Sequence, residues 1–365
     1  MHSSAGIFFA GVTGQYTRWG WFFWIGTVLT AITAVTSYLY IPNDIAERKA
    51  LGIKMDYLGA FFLCSGVTIF AFAVIDSAHA KWDSPVIIAL FILGSLLLLC
   101  AVYVEGWVAS DPLLPPSLFK VKYMTSLCIA LFFTYGSLGI FLLYATWYMQ
   151  SIMGASPLQV VAWFTPMALG GILISTVGGI VLHLLSSTLL MYIAGIAWII
   201  APLLFAIAPE GANYWAYVFP AMCCATIGID LTFNVANIFM TSSLPKAQQG
   251  VAGALIMLLL HFGIAVCLGF ADIVNIETTP SLGMRKSYQA ALWFEVACAA
   301  TALAILVVFV RVKNAKSALT ADEIREMEEE AAAERMGIPA ERATTGRSNV
   351  MRRLSTARST PRVGR

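Results

Sequence analysis

Gly228-Ile229-Asp230-Leu231-Thr232-Phe233-Asn234-Val235-Ala236-Asn237 lies deep inside an apolar run from about Tyr217 to Met240. Asp230, Asn234 and Asn237 are spaced i, i+4, i+7, so a helix places them on one face. A carboxylate near the middle of a bilayer costs about 3 kcal/mol on insertion scales. A helix that carries one turns it toward a bundle interior or a wet cavity. The stretch therefore predicts a membrane-spanning helix that lines a pathway.

Composition agrees with that reading. The chain of 365 residues is 59% hydrophobic and 12% charged, with a mean hydropathy of +0.80. Soluble domains carry roughly twice that charged fraction. An all-α, polytopic membrane protein is expected. The net charge of +2 says little, but half of the Lys and Arg fall in the last 54 residues. The seven cysteines all sit in apolar runs without metal-ligand or disulfide-framework spacing, and read as small buried hydrophobes. The first residues have no basic n-region, so no cleavable signal peptide is expected.

Nine complete spans are expected after a helix remnant at 1–14. They fall at about 21–41, 58–75, 85–104, 125–148, 158–182, 188–207, 215–240, 250–274 and 290–310. The first opens on an aromatic belt, Trp21 to Trp24, and closes at Pro42. A charged loop, Asn43 to Asp56, follows it. Polar loops are expected at Asp76–Ser84 and Asn275–Ser287, and a stiff connector at Asp111-Pro112-Leu113-Leu114-Pro115-Pro116. The fifth span carries Pro166 and a small-residue stripe at Gly171, Ser175 and Gly179, which admits a close helix neighbour. The short link after it makes spans five and six antiparallel neighbours.

With the C-terminal tail taken as cytoplasmic, the inner loops hold Arg48, Lys49, Lys54, Lys120, Lys122 and Lys246. The outer loops hold Arg18, Lys81, Arg285 and Lys286. In the tail, Thr320-Ala321-Asp322-Glu323 opens a short acidic helix through about Met336. From Ala340 on, seven arginines interleave with Ser, Thr and Gly, which predicts disorder. Attraction to anionic lipid and a basophilic-kinase site at Ser355 are alternative readings of that end. The tail lacks the interleaved aromatics of a nucleic-acid module, so no nucleic-acid partner is expected. The chain shows no phosphate loop, zinc-binding helix pair or nucleophile elbow, so neither an enzyme nor a cofactor is expected.

Arg18-Trp19-Gly20-Trp21-Phe22-Phe23-Trp24-Ile25 resembles the start of helix six in fungal major facilitator transporters. The similarity is to their fourteen-helix drug–proton antiporter branch, near the aminotriazole-resistance and low-affinity ammonium transporter-like group. Gly154-Ala155-Ser156-Pro157-Leu158, the stretch at 228–237, Gln248-Gln249-Gly250-Val251-Ala252-Gly253-Ala254 and Phe270-Ala271-Asp272-Ile273-Val274 carry the same resemblance. It implies a partial major facilitator fold. Residues 15–41 would be the last helix of the N-terminal bundle, 42–123 two linker helices with their loops, 124–311 the six-helix C-terminal bundle and 312–365 the cytoplasmic tail. Helices one to four and most of helix five would be missing. The proline-containing antiporter motif of helix five has no counterpart among Gly6, Gly11 and Gly14. The Gly178–Leu185 loop lacks the family's acidic and basic residues.

The resemblance implies proton-coupled export of small molecules or drugs from a plasma or vacuolar membrane. Small-molecule substrate, protons, the lipid bilayer and a missing or separate N-terminal bundle are the implied partners. The competing expectation is a non-transporting membrane fragment that misfolds or modulates a full-length relative. Asp230 reads either as a proton-coupling or substrate-facing carboxylate, or as a structural carboxylate bonded by Asn234 or a neighbouring helix. Asn234 and Asn237 read as substrate hydrogen-bonders or interhelical glue. His261 reads either as a group titrating near neutral pH or as an imidazole bonded to a backbone carbonyl. Asp76, Glu105 and Asp272 are expected at membrane interfaces, and Glu295 is expected to face water. Tyr135, Tyr144, Trp147 and Trp163 read as pocket-lining aromatics or, for most of them, as side chains at interfaces or against lipid.

Overall fold

A bilayer core offers no water to backbone N–H and C=O groups, so each apolar run must satisfy them internally as a helix. The computed structural model describes residues 2–18, 20–40, 56–80, 82–245 and 248–310, and its longer elements are all helical. In chain order they are α1 (His2–Tyr16), α2 (Gly20–Tyr40), α3 (Tyr57–Ala80), α4 (Pro85–Tyr103), α5 (Met124–Trp147), α6 (Pro157–Leu184), α7 (Ser187–Ala206), α8 (Phe219–Ser242) and α9 (Gln249–Phe309). Single π-helical turns extend α4 to Val108 and α5 to Ile152, and another leads into α8 from Tyr214. Eight helices among the described residues are long and apolar enough to cross a membrane.

Local chemistry sets the helix starts. Pro85 and Pro157 open α4 and α6, where the missing N–H costs nothing. Asp56 caps α3, its Oδ1 accepting the Gly59 N–H at 2.8 Å. Ser186 caps α7 by accepting the Leu189 N–H at 3.2 Å. The remaining helix stability comes from packing.

The α9 helix corrects the expected loop at Asn275–Ser287. Its first arm runs on through those polar residues to a sharp bend at Gly283, where φ is 76° and ψ 166°. Only a residue without Cβ adopts that φ at little cost. Thr278 and Thr279 hydroxyls donate to the carbonyls of Val274 and Asn275 at 2.6 Å, which keeps the polar turns helical. Likewise α3 continues through Asp76 to Ala80, into the expected loop at Asp76–Ser84. The bend of α9 is tied to the link after α7. Arg285 pairs with Glu210 at 3.0 Å and donates to the Ala208 carbonyl at 2.8 Å, and Gln289 donates to the same carbonyl.

Both arms of α9 pack on α5, and this trio is the spine of the bundle. The crossing is close because small residues meet there. A Cβ on Gly263 would lie 2.5 Å from the Phe132 carbonyl oxygen. The α7 helix closes one side: Gly195 meets Leu303 of the second arm, and Trp198 lies over Gly228 of α8. The α8 helix then carries α6, and α6 carries α1, with Gly11 pressed against Val161. On the opposite side the α3–α4 hairpin rests on the first arm of α9, where Val74 meets Gly269. The α2 helix, by contrast, buries none of its side chains.

The expected loop at 42–55 and the expected tail features at 312–365 lie outside the described residues. So do the side chains of Ser175 and 177–184, and with them most of the expected small-residue stripe; the backbone of the expected Gly178–Leu185 loop is instead helix to Leu184.

Candidate functional site

The polar stripe sits on one side of α8, opposite the side that builds the core. Ala225, Thr232, Val235, Ala236 and Met240 are buried, while Asp230, Asn234 and Asn237 are half-buried. Two consecutive glycines of α6, Gly170 and Gly171, bring that helix close. Thr226 packs over Gly170 and donates to the Met167 carbonyl at 3.3 Å and to its own helix at Met222, 2.9 Å. One turn on, Asp230 Oδ2 lies 3.2 Å from the point a Cβ would take on Gly171. The carboxylate thus rests against bare backbone.

Among the described residues no hydrogen bond joins Asp230 to Asn234 or Asn237. The three keep a common face without tying one another up.

His261 stands apart from this stripe. It is exposed on the first arm of α9, and its Nδ1 lies 2.8 Å from the Met257 carbonyl of its own helix. No hydrogen bond connects it to the α8 residues among those described. A pocket of about 530 Å³ opens between α1, α5 and α6, lined by Gly11, Phe22, Leu142, Thr146, Gln150 and Phe164 among others. None of Asp230, Asn234, Asn237 and His261 lines it.

Two polar contacts at the spine escaped the sequence reading. The Tyr144 hydroxyl donates to Asp272 Oδ1 at 2.6 Å, joining α5 to the first arm of α9. Asn275 faces the same hydroxyl, and the rings of Trp147 and Tyr288 pack edge-on to Tyr144 at 5.4 and 5.9 Å. So Asp272 is an interhelical acceptor, and Tyr144 is fully buried. Tyr135 is also fully buried, while Trp163 stacks on Tyr214 at 5.3 Å. Glu295 is 0% exposed, not water-facing, and accepts the Ser137 hydroxyl of α5 at 3.3 Å. Beside it the thiols of Cys267 and Cys298 meet across the two arms.

A signal for Glu295 did exist in the sequence. Ala291, Glu295, Cys298 and Ala302 form one ladder of i, i+4, i+7, i+11, and every rung is buried. Glu105 is likewise buried, at 7% exposure, and accepts the Leu114 N–H at 2.9 Å.

Among the described residues, eight helices of membrane-spanning length and apolarity thus enclose a half-buried polar stripe on α8 and a close-packed α5–α9 spine. The sequence pattern of the Major Facilitator Superfamily fits residues 3–268. The chain belongs to the Major Facilitator Superfamily. It is similar to efflux pump terJ of Aspergillus terreus, 26% identical over 84% of this chain and 60% of the relative. It is similar to the low affinity ammonium transporter of Saccharomyces cerevisiae, 30% identical over 74% of this chain and 53% of the relative. It is also similar to the aminotriazole resistance protein of that yeast, 24% identical over 88% and 60%. The chain spans about half the length of the curated relatives it matches. Within this family the chain is an integral membrane protein with a partial major facilitator fold.

Proposed function

We propose that this chain forms the C-terminal part of a proton-coupled exporter of small organic molecules, with α8 as one wall of the transport path. In this reading α2 is the last helix of the N-terminal bundle, α3 and α4 are the linker pair, and residues 124–311 form the C-terminal bundle. The observation that carries the proposal is Asp230 on one half-buried face with Asn234 and Asn237, pressed against the backbone of Gly171 inside an apolar bundle. A carboxylate so placed suits alternate occupation by a proton and a substrate. The names of the relatives, an efflux pump and a resistance protein among them, support export. In this reading His261 is given no role in the path, since its Nδ1 is engaged with the Met257 carbonyl of its own helix.

Cysteine labelling tests the wall. Asn234→Cys and Asn237→Cys should react with a hydrophilic maleimide, above the background of the native thiols, and a transported drug should slow the reaction. Val235→Cys, at a position 2% exposed, should not react. Equal silence at all three positions would place the stripe away from any aqueous path.

A second reading, a fragment that modulates a full-length relative, draws on α2. None of its side chains is buried, which gives it an apolar outer surface on which another polypeptide can pack. Co-purification with a tagged full-length relative, together with no transport by the chain expressed from its complete reading frame, would favour that reading.

A further inference from the structure

The α3–α4 hairpin closes on two carboxyl groups. Asp56 caps α3 and spends Oδ1 on the Gly59 N–H. Glu105 sits at the end of α4, 7% exposed, and spends Oε2 on the Leu114 N–H. The remaining oxygens, Asp56 Oδ2 and Glu105 Oε1, are both buried, and neither has a hydrogen-bond partner. Both converge on Gly59. Glu105 Oε1 lies 2.6 Å from the point a Cβ would occupy there, and Asp56 Oδ2 lies closer still.

Among the described residues, Asp56 is the charged group that acts on Glu105. The other groups facing it are the backbone N–H groups of Leu114 and Leu113. Lys54 lies outside the described residues. Two carboxylate oxygens that both lie within 2.6 Å of one point repel each other, and each leaves an acceptor unsatisfied. A divalent cation is a poor remedy. It seeks six or more oxygens, and two of the four carboxylate oxygens here already accept N–H groups. One proton placed between Oε1 and Oδ2 satisfies both, as in other close carboxyl pairs.

We propose that Asp56 and Glu105 form a shared-proton site that locks the base of the α3–α4 hairpin. The lock reaches the bundle through the connector. Leu114, held by Glu105, packs against the buried cluster that contains Leu118 and, from the start of α5, Met124 and Leu127. With the proton in place the two helix ends and the connector are one unit. Loss of the proton leaves two adjacent anions, which push Glu105 away from Asp56 and loosen its hold on Leu114. The site lies outside the α8 stripe and does not depend on the transport reading.

The test uses the full chain in phosphatidylcholine nanodiscs between about pH 5 and about pH 9, on either side of the ordinary carboxyl and histidine ranges. Infrared difference spectra should show a protonated-carboxyl band in the wild type that disappears as pH rises. Glu105→Gln should lose a component of that band, leaving only what Asp230 and Glu295 contribute. The unfolding temperature of the wild type should fall over the same pH window, because the native state holds a proton that the unfolded chain releases. In Glu105→Gln that fall should be lost, and in Asp56→Asn, where burial still acts on Glu105 but Asp56 no longer does, it should be clearly shallower than in the wild type.

The proposal is overturned if Glu105→Gln retains the whole band. It is also overturned if both variants lose stability with pH as steeply as the wild type. A rise in wild-type unfolding temperature on adding calcium or magnesium at alkaline pH, absent from the variants, would replace the proton with a cation. Should Glu105→Gln fail to fold, the slope of Asp56→Asn against the wild type decides alone.

Discussion

Two carboxylates of the bundle interior differ in what surrounds them, and that difference separates their roles. Asp230 is half-buried against the Gly171 backbone, on a face shared with two amides. Glu295 is sealed between α5 and the second arm of α9, with the Ser137 hydroxyl on one oxygen and no partner on the other. No solute reaches Glu295 without parting the spine, and no counter-charge meets it among the described residues. Glu295→Gln keeps its shape and its contact with Ser137. Its unfolding free energy should stay within about 1 kcal/mol of wild type, in keeping with the modest net value of one hydrogen bond. Glu295→Ala leaves a void and strands the Ser137 hydroxyl, and should cost about 2–4 kcal/mol. Denaturation monitored by circular dichroism in detergent, for the two variants side by side, checks both values. A larger loss for Gln than for Ala would show that the charge itself holds the spine together.

At the scale of elements, membrane helices pack through their small residues because lipid supplies no hydrophobic drive between them. The crossing of α5 with the first arm of α9 rests on Gly263, set against the Phe132 carbonyl. A side chain there must push backbone away from backbone. Gly263→Leu should therefore destabilise the bundle by about 3 kcal/mol or more, beyond the usual penalty for overpacking. Gly253→Leu, at a position with open space around its Cα, should stay near wild type. Thermal unfolding of the two variants gives the comparison.

The elements also show what the sequence could and could not tell. Span positions were legible because apolar runs of bilayer length leave few alternatives. Helix ends were not. The polar residues 275–282 mark where α9 leaves the apolar zone, yet the helix goes on, since its threonines bond back to its own carbonyls. Polarity reports the solvent; the bend needed Gly283.

For the whole molecule, the legible part of the site was the stripe on α8, because its spacing is local. Its setting was not legible. Gly170 and Gly171 stand about sixty positions away on α6, and only the fold brings them against Thr226 and Asp230. The same holds for Tyr144 with Asp272, 128 positions apart, and Ser137 with Glu295, 158 apart. Polar residues near the ends of apolar runs were read as interfacial by position along the helix, whereas their rotation about it decided burial.

The central claim, that α8 supplies the proton-coupled wall of a transport path, has one direct test. The protein is expressed from its complete reading frame, reconstituted in proteoliposomes and loaded with a fluorescent drug, and efflux is driven by an imposed pH gradient. Asp230→Asn should reduce gradient-driven efflux by about tenfold or more, a loss of roughly 1.4 kcal/mol or greater in barrier terms. Membrane insertion and unfolding temperature should remain those of the wild type. Efflux unchanged in Asp230→Asn, with the same dependence on the gradient, would contradict the account.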